Sequence, residues 1–134
     1  EMERFTMKID ISYLIGTSDK KALKREVDES QIAKALAKAL KVLRAYHGYT
    51  LKQVEETTEI PYPTISRYES GKNIPGAVQL FKLAHFYKFP VSDMFALGFF
   101  EGIEEKQTYT MILDHWTWAD GFGRNMAKEA MLDD

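Results

Sequence analysis

The residues of this 134-residue chain whose types and spacing could do chemistry gather between positions 52 and 73. Tyr62, Thr64, Ser66 and Arg67 make a short run of hydrogen-bonding groups with a single cation, and Lys72 and Asn73 follow just beyond it. Carried on one helix, they would form an outward face that is polar yet almost uncharged. Such a face suits the reading of base edges in a major groove, while Lys and amide groups at its flanks suit phosphate contacts. No hydrolytic or metal-binding set competes with it. His47, His85 and His115 are far apart with no ligand-spaced partner, and the chain has no cysteine to act as nucleophile, disulfide half or thiolate ligand. Gly121-Phe122-Gly123 reads as a turn and not as a phosphate cradle. No catalytic residue, metal or cofactor is expected.

The elements that must position these groups follow from turn and cap signals. Asp19 to Tyr46 holds no Gly or Pro and is rich in Ala, Leu and Lys, which favours helix, with a division near Asp28-Glu29-Ser30. This predicts a helix over 19–28 and a second one capped by Ser30. On the second, Ile32, Leu36, Ala39, Leu40 and Leu43 form a core face, and Lys34, Lys38 and Lys41 form a solvated one. Gly48 ends it. Thr50-Leu51-Lys52-Gln53 is a capping box that starts a short helix, which must stop before Ile60-Pro61. Pro63 suits the first position of the next helix, which ends at Ser70-Gly71. A fourth helix opens at Pro75-Gly76 with Leu80, Leu83, Ala84 and Tyr87 inside, and Ser92 caps a fifth through Phe100. Two short helices around a tight turn at Glu59-Ile60-Pro61 have the layout of a helix-turn-helix, with Val54, Ile60, Ile65 and Tyr68 as its small core.

Residues 31–100 therefore form the predicted DNA-binding domain, with the motif at 51–70 and the reading helix at 62–70. Upstream, residues 1–30 are an extension. Met7, Ile9, Ile11, Tyr13 and Ile15 alternate with polar residues and predict a strand over 7–15, whose one β-leaning candidate partner is Gln107–Leu113. Downstream, residues 101–134 are acidic and aromatic. Phe95, Phe99, Phe100, Tyr109, Trp116, Trp118 and Phe122 need a cover, supplied either by the chain's own core or by an interface. Met126, Ala130 and Met131 suggest a last amphipathic helix.

The string Thr64-Ile65-Ser66-Arg67-Tyr68-Glu69-Ser70-Gly71-Lys72, then Pro75, Leu80-Phe81-Lys82-Leu83-Ala84 and the Val91-Ser92 helix start, is similar to the Xre/Cro family of phage lambda-repressor-like transcription regulators. That resemblance spans about residues 31–100. It implies a mainly α fold, a lambda-repressor-like five-helix core, here with an N-terminal strand and helix extension and an aromatic C-terminal one. It also implies base-reading positions at Tyr62, Pro63, Thr64 and Arg67, positions near the DNA backbone at Lys52, Gln53, Ser66, Lys72 and Asn73, and an ion pair between Arg44 and Glu69. The implied partner is double-stranded DNA, met as a homodimer that could pair through the C-terminal extension, in a bacterial or phage-derived cytoplasmic setting at the nucleoid. Departures from the family pattern are physical. Glu59 stands where a turn glycine is usual and must take a positive φ or reshape the turn. Pro61 replaces a Ser or Thr cap, Pro63 offers only apolar contact, Leu51 replaces a Gln, and Glu55 replaces a small residue. Glu55, Glu59 and Pro63 favour the alternative, a protein-interaction module on the same fold such as the antitoxin of a toxin pair.

Charge supports the division. The whole chain carries a formal charge of -2, against what a DNA-binding protein would be expected to show. Residues 31–100 alone carry nine basic and five acidic groups, net +4, between flanks of net -1 and -5. Within a Debye length of about 10 Å, phosphate would meet the local +4. No apolar run approaches the roughly 20 residues that span a bilayer. The first residues, Glu-Met-Glu-Arg-Phe-Thr-Met, lack the basic-then-apolar pattern of a signal peptide. No membrane partner is expected.

Overall fold

The computed structural model describes residues 5–10 and 24–116. Its elements run β1 (Thr6–Asp10), β2 (Lys24–Asp28), α1 (Glu29–His47), α2 (Leu51–Thr58), α3 (Tyr62–Ser70), α4 (Ala77–Tyr87) and α5 (Val91–Leu97), followed by a helix over 106–116, termed α6. The protein is mostly helical with a small two-stranded sheet.

The sheet corrects two sequence expectations. β1 pairs antiparallel with β2 in the register Thr6↔Asp28, Met7↔Val27 and Ile9↔Arg25, so 24–28 is strand where helix was expected. Residues 11–15 and 19–23 of the two predicted elements lie outside the described residues. Local propensity loses here to a non-local gain: Val27, 1% exposed, buries its side chain in the main apolar cluster while its backbone supplies β1 with a ladder. The candidate partner of β1, 107–113, whose sequence leaves strand and helix both open, belongs to α6. Tyr109, Ile112, Leu113 and Trp116 are all buried and fall at i, i+3, i+4 and i+7, a helical stripe whose packing overrides the β-leaning Thr and Tyr residues.

β2 hands the chain directly to α1. Asp28, and not Ser30, is the N-cap: its Oδ1 accepts from the Gln31 N–H at 2.9 Å, and the Gln31 Oε1 accepts from the Asp28 N–H at 2.9 Å. α1 buries Ala35, Leu36, Ala39, Leu40, Val42 and Leu43, and leaves Lys34, Lys38 and Lys41 exposed. It ends at Gly48, whose φ of 75° is the left-handed exit that glycine adopts without strain. α5 crosses α1 with Gly98 set directly against the backbone of Ala35, leaving no space for a Cβ. α5 is shorter than expected, stopping at Leu97. Its N-cap is Pro90 and no side chain caps it, so Ser92 does not take that role. Residues 98–100 continue as a turn that carries Phe99 and Phe100 into the core.

The aromatic residues of the described C-terminal segment pack on the chain's own core. The Trp116 ring lies 4.0 Å from that of Phe89 between centroids, and its indole N–H donates to Asp93 Oδ2 at 2.9 Å. Tyr46 Oη donates to Asp114 Oδ1 at 2.5 Å, tying α6 to α1. Val27, Ile103, Leu113 and Trp116 thus belong to one apolar cluster with the helix-turn-helix core. Trp118, the turn at Gly121–Gly123 with Phe122, and the helix suggested around Met126, Ala130 and Met131 lie outside the described residues. Among the described residues, no helix is long and apolar enough to cross a membrane.

Candidate nucleic-acid interface

α2 is held at both ends by its own side chains. Thr50 Oγ1 accepts from the Gln53 N–H at 3.1 Å, and Gln53 Oε1 accepts from the Thr50 N–H at 2.8 Å. The box uses only the oxygen of the Gln53 amide, which leaves its two N–H donors at the start of the helix. At the other end, buried Thr58 donates to the Val54 carbonyl at 2.8 Å and accepts from the Ile60 N–H at 3.3 Å. This closes the helix and starts the turn.

Glu59 forms the turn with φ 63° and ψ 17°, the left-handed geometry anticipated from its place at a glycine position. A side chain with a Cβ is strained there. Glu59→Gly is therefore expected to stabilise the fold by roughly 0.5–1 kcal/mol, the relief of strain being partly offset by the greater freedom of glycine in the unfolded chain. A urea titration reads this directly as a raised midpoint. Glu55, at the other departure from the family pattern on this helix, is half-buried.

α3 starts without a side-chain cap, at Pro61. Tyr62 is its first residue, and Pro63 follows one position later than expected, still inside the first turn where a missing N–H leaves no bond unmade. The Pro61 carbonyl accepts from the N–H groups of Thr64 and Ile65 at 2.9 and 3.1 Å, so the helix forms on backbone bonds alone. Ile65 and Tyr68 turn inward. Gly71, at φ 81°, ends the helix, and the Arg67 carbonyl accepts from the N–H of both Lys72 and Asn73, at 3.0 and 3.3 Å. The exit loop is thereby fixed to the last turn of α3.

The sequence-predicted site residues take these places. Tyr62 is 42% exposed, and Pro63, Ser66, Arg67, Lys72 and Asn73 are exposed, whereas Thr64 is half-buried. Lys52 and Gln53 are exposed at the start of α2, and Lys52 Nζ lies 5.4 Å from the centroid of the Tyr62 ring, a cation–π contact linking the two helix starts. Glu69 leaves this surface and turns back to α1. Arg44 Nε donates to its Oε2 at 2.7 Å and Arg44 Nη2 to its Oε1 at 2.9 Å, a two-pronged pair in which the side chains are 23% and 7% exposed. Arg44 Nη1 adds a bond to the Tyr49 carbonyl at 3.0 Å. Hydrogen bonding to Glu69 raises the Arg44 pKa against the opposing effect of burial, and burial pushes the neighbouring Tyr87 phenol well above its ordinary value.

The sequence reading missed a group of exposed apolar side chains next to this surface: Ile74, Val78 and Phe81. The signal was present, since Val78 and Phe81 do not share the spacing of Leu80, Leu83, Ala84 and Tyr87, but two apolar sets on one helix do not say which is covered.

Residues 40–94, from within α1 to within α5, match the helix-turn-helix family model. The match supports a helix-turn-helix of the Xre and lambda-repressor type and the role of a DNA-binding regulator. No curated protein and no solved structure matches the chain.

Proposed function

We propose that this protein is a sequence-specific regulator of transcription that binds double-stranded DNA as a dimer, with α3 of each copy in a major groove, and that it acts as a repressor. The observation that carries the reading is the exposed face of α3: Tyr62, Pro63, Ser66 and Arg67, with one cation among neutral groups, flanked by exposed Lys52 and Lys72. A face chosen only for solubility would carry mixed charges. In this reading Tyr62, Pro63, Thr64 and Arg67 contact base edges, Arg67 to a guanine and Pro63 to a thymine methyl. Lys52, Gln53, Ser66, Lys72 and Asn73 hold the phosphates that set the register. Two copies would place their reading helices in half-sites about 34 Å apart. Occupying that stretch excludes other proteins from it, which is the simplest form of repression. DNA as partner implies residence with the chromosome. No chemical step is assigned to the protein.

Binding sites selected from a random duplex pool supply the ligand for the test. Arg67→Ala is expected to weaken binding to the selected site by about 1–3 kcal/mol while leaving random duplex nearly unaffected. Lys72→Ala is expected to weaken both alike and to lower the slope of log affinity against log salt by about one. Absence of duplex binding at low salt would overturn the reading and leave the protein-interaction module on the same fold.

A further inference from the structure

The loop after α3 and the first turns of α4 expose more apolar surface than any other described part of the chain. Ile74 is 65% exposed, Val78 64% and Phe81 67%, and no described residue covers them. Val78 and Phe81, three apart, share one side of α4, and the Phe81 ring stacks on that of His85 at 6.2 Å between centroids. The opposite side carries the buried Leu83, Ala84 and Tyr87. Beside Phe81, a groove of about 260 Å³ runs between Thr57–Glu59 at the end of α2 and Lys82 and Phe86 of α4.

We infer that this patch is the surface on which two copies of the chain pair, a role for α4 in place of the C-terminal extension; the inference deepens the DNA-reading proposal and rests on it. Three observations select a second copy as the occupant. The first is position: Ile74 follows Asn73 directly in the loop bonded to the Arg67 carbonyl, so a contact here passes orientation straight from one reading helix to the other. The second is charge. Glu59 and Lys82 both rim the groove, and in a two-fold pair each can face the opposite charge of the partner, because whatever one copy presents the other presents in return. The third is area. The exposed parts of the three residues, backbone included, come to roughly 400 Å² per copy, within the range of the larger apolar patches that monomers display and use. Doubled, and with a polar rim added, they reach the lower end of interface size, that of pairs which form and separate readily. A regulator assembled on its operator needs no more.

The absence of cysteine makes the test clean, since any introduced thiol is the single one. Ile74→Cys, Val78→Cys and Phe81→Cys are made in the full chain, with Met111→Cys, on α6 and 66% exposed, as the comparison. Under mild oxidation without DNA, at least one of the three is expected to give a disulfide-linked dimer, as residues near a two-fold axis come within bridging distance. Met111→Cys is expected to stay monomeric. Val78→Asp, with circular dichroism to verify the fold, is expected to raise the dimer dissociation constant in sedimentation at least about tenfold, because it appears twice in the interface. Failure of all three cysteines to form dimer, equal trapping at Met111, or an unchanged dimer in Val78→Asp would overturn the assignment. Duplex binding is measured separately. Binding without trapping rejects this surface and keeps the DNA reading, whereas trapping without binding keeps the surface as a copy-to-copy contact and rejects the DNA reading.

Discussion

Gly98→Ala is expected to destabilise the protein by about 3 kcal/mol or more, among the largest effects of any single methyl group in the chain. The backbone gives no reason for it. Gly98 sits at φ -68° and ψ -12°, ordinary right-handed geometry that alanine adopts freely. Restriction of the unfolded chain would by itself make the substitution stabilising by about 0.4–1 kcal/mol. Space decides the sign. A Cβ on residue 98 would stand 1.8 Å from the Ala35 carbonyl oxygen, 2.4 Å from its carbon and 2.6 Å from its Cα. These are backbone atoms in the middle of α1, so no rotamer change can clear them. The end of α5 would have to lift off α1, loosening Leu36, Leu43, Met94 and Leu97, each 2% exposed or less. Thermal and urea unfolding would report the change, with a fall in Tm on the order of 10 °C. A variant within about 0.5 kcal/mol of the parent would show that the two helices do not approach as closely as this.

That contact could not be foreseen from sequence, and the reason separates the legible parts of the protein from the others. What is encoded within a few residues was readable. The Thr50–Gln53 box, the proline at 61 and the glycine at 71 bracket α2 and α3 because each acts on its own neighbourhood, whereas Glu59 stood out only against the family pattern, which left open a positive φ or a reshaped turn, and the structure takes the first. The same logic could have found the start of α1, since Asp28-Glu29-Ser30-Gln31 has the box spacing, but Ser30 offered an equally plausible oxygen. What depends on distant partners was not readable. Lys24–Asp28 has little strand propensity and becomes a strand because β1 and the core accept Val27. In 107–113 two periodicities compete, and only the covered stripe of Tyr109, Ile112 and Leu113 decides for helix. Of the candidate site, Tyr62, Ser66 and Arg67 were legible as an outward face of α3, whereas Thr64, read on the same face, is half-buried, and Pro63 came through family resemblance. The pairing of Arg44 with Glu69 across 25 residues came through family resemblance, because no local rule joins them.

Breaking that pair is the second large effect expected, and the order of the variants carries the argument. Glu69 is the more deeply buried partner, with 7% of its side chain exposed against 23% for Arg44. Arg44→Met strands a carboxylate out of water and is expected to cost about 3 kcal/mol. Glu69→Gln keeps the shape and one acceptor, and leaves a less buried guanidinium that still donates to the Tyr49 carbonyl, so about 2 kcal/mol is expected. Replacing both, as Arg44→Met with Glu69→Leu, removes the charges together and is expected to recover at least half of the loss, since an apolar pair pays no desolvation penalty. Urea unfolding of the three variants gives the order, and a double variant no more stable than Arg44→Met would mean that packing and not charge holds the site. Recovery of stability then isolates the other role of the pair. The two parallel hydrogen bonds fix the direction of the last turn of α3 relative to α1, a restraint that Met and Leu cannot reproduce. The stable double variant is expected to bind the selected duplex at least about tenfold more weakly, or about 1.4 kcal/mol. Unchanged affinity in that variant would reduce the pair to a stabilising contact and leave the orientation of α3 to Ile65 and Tyr68.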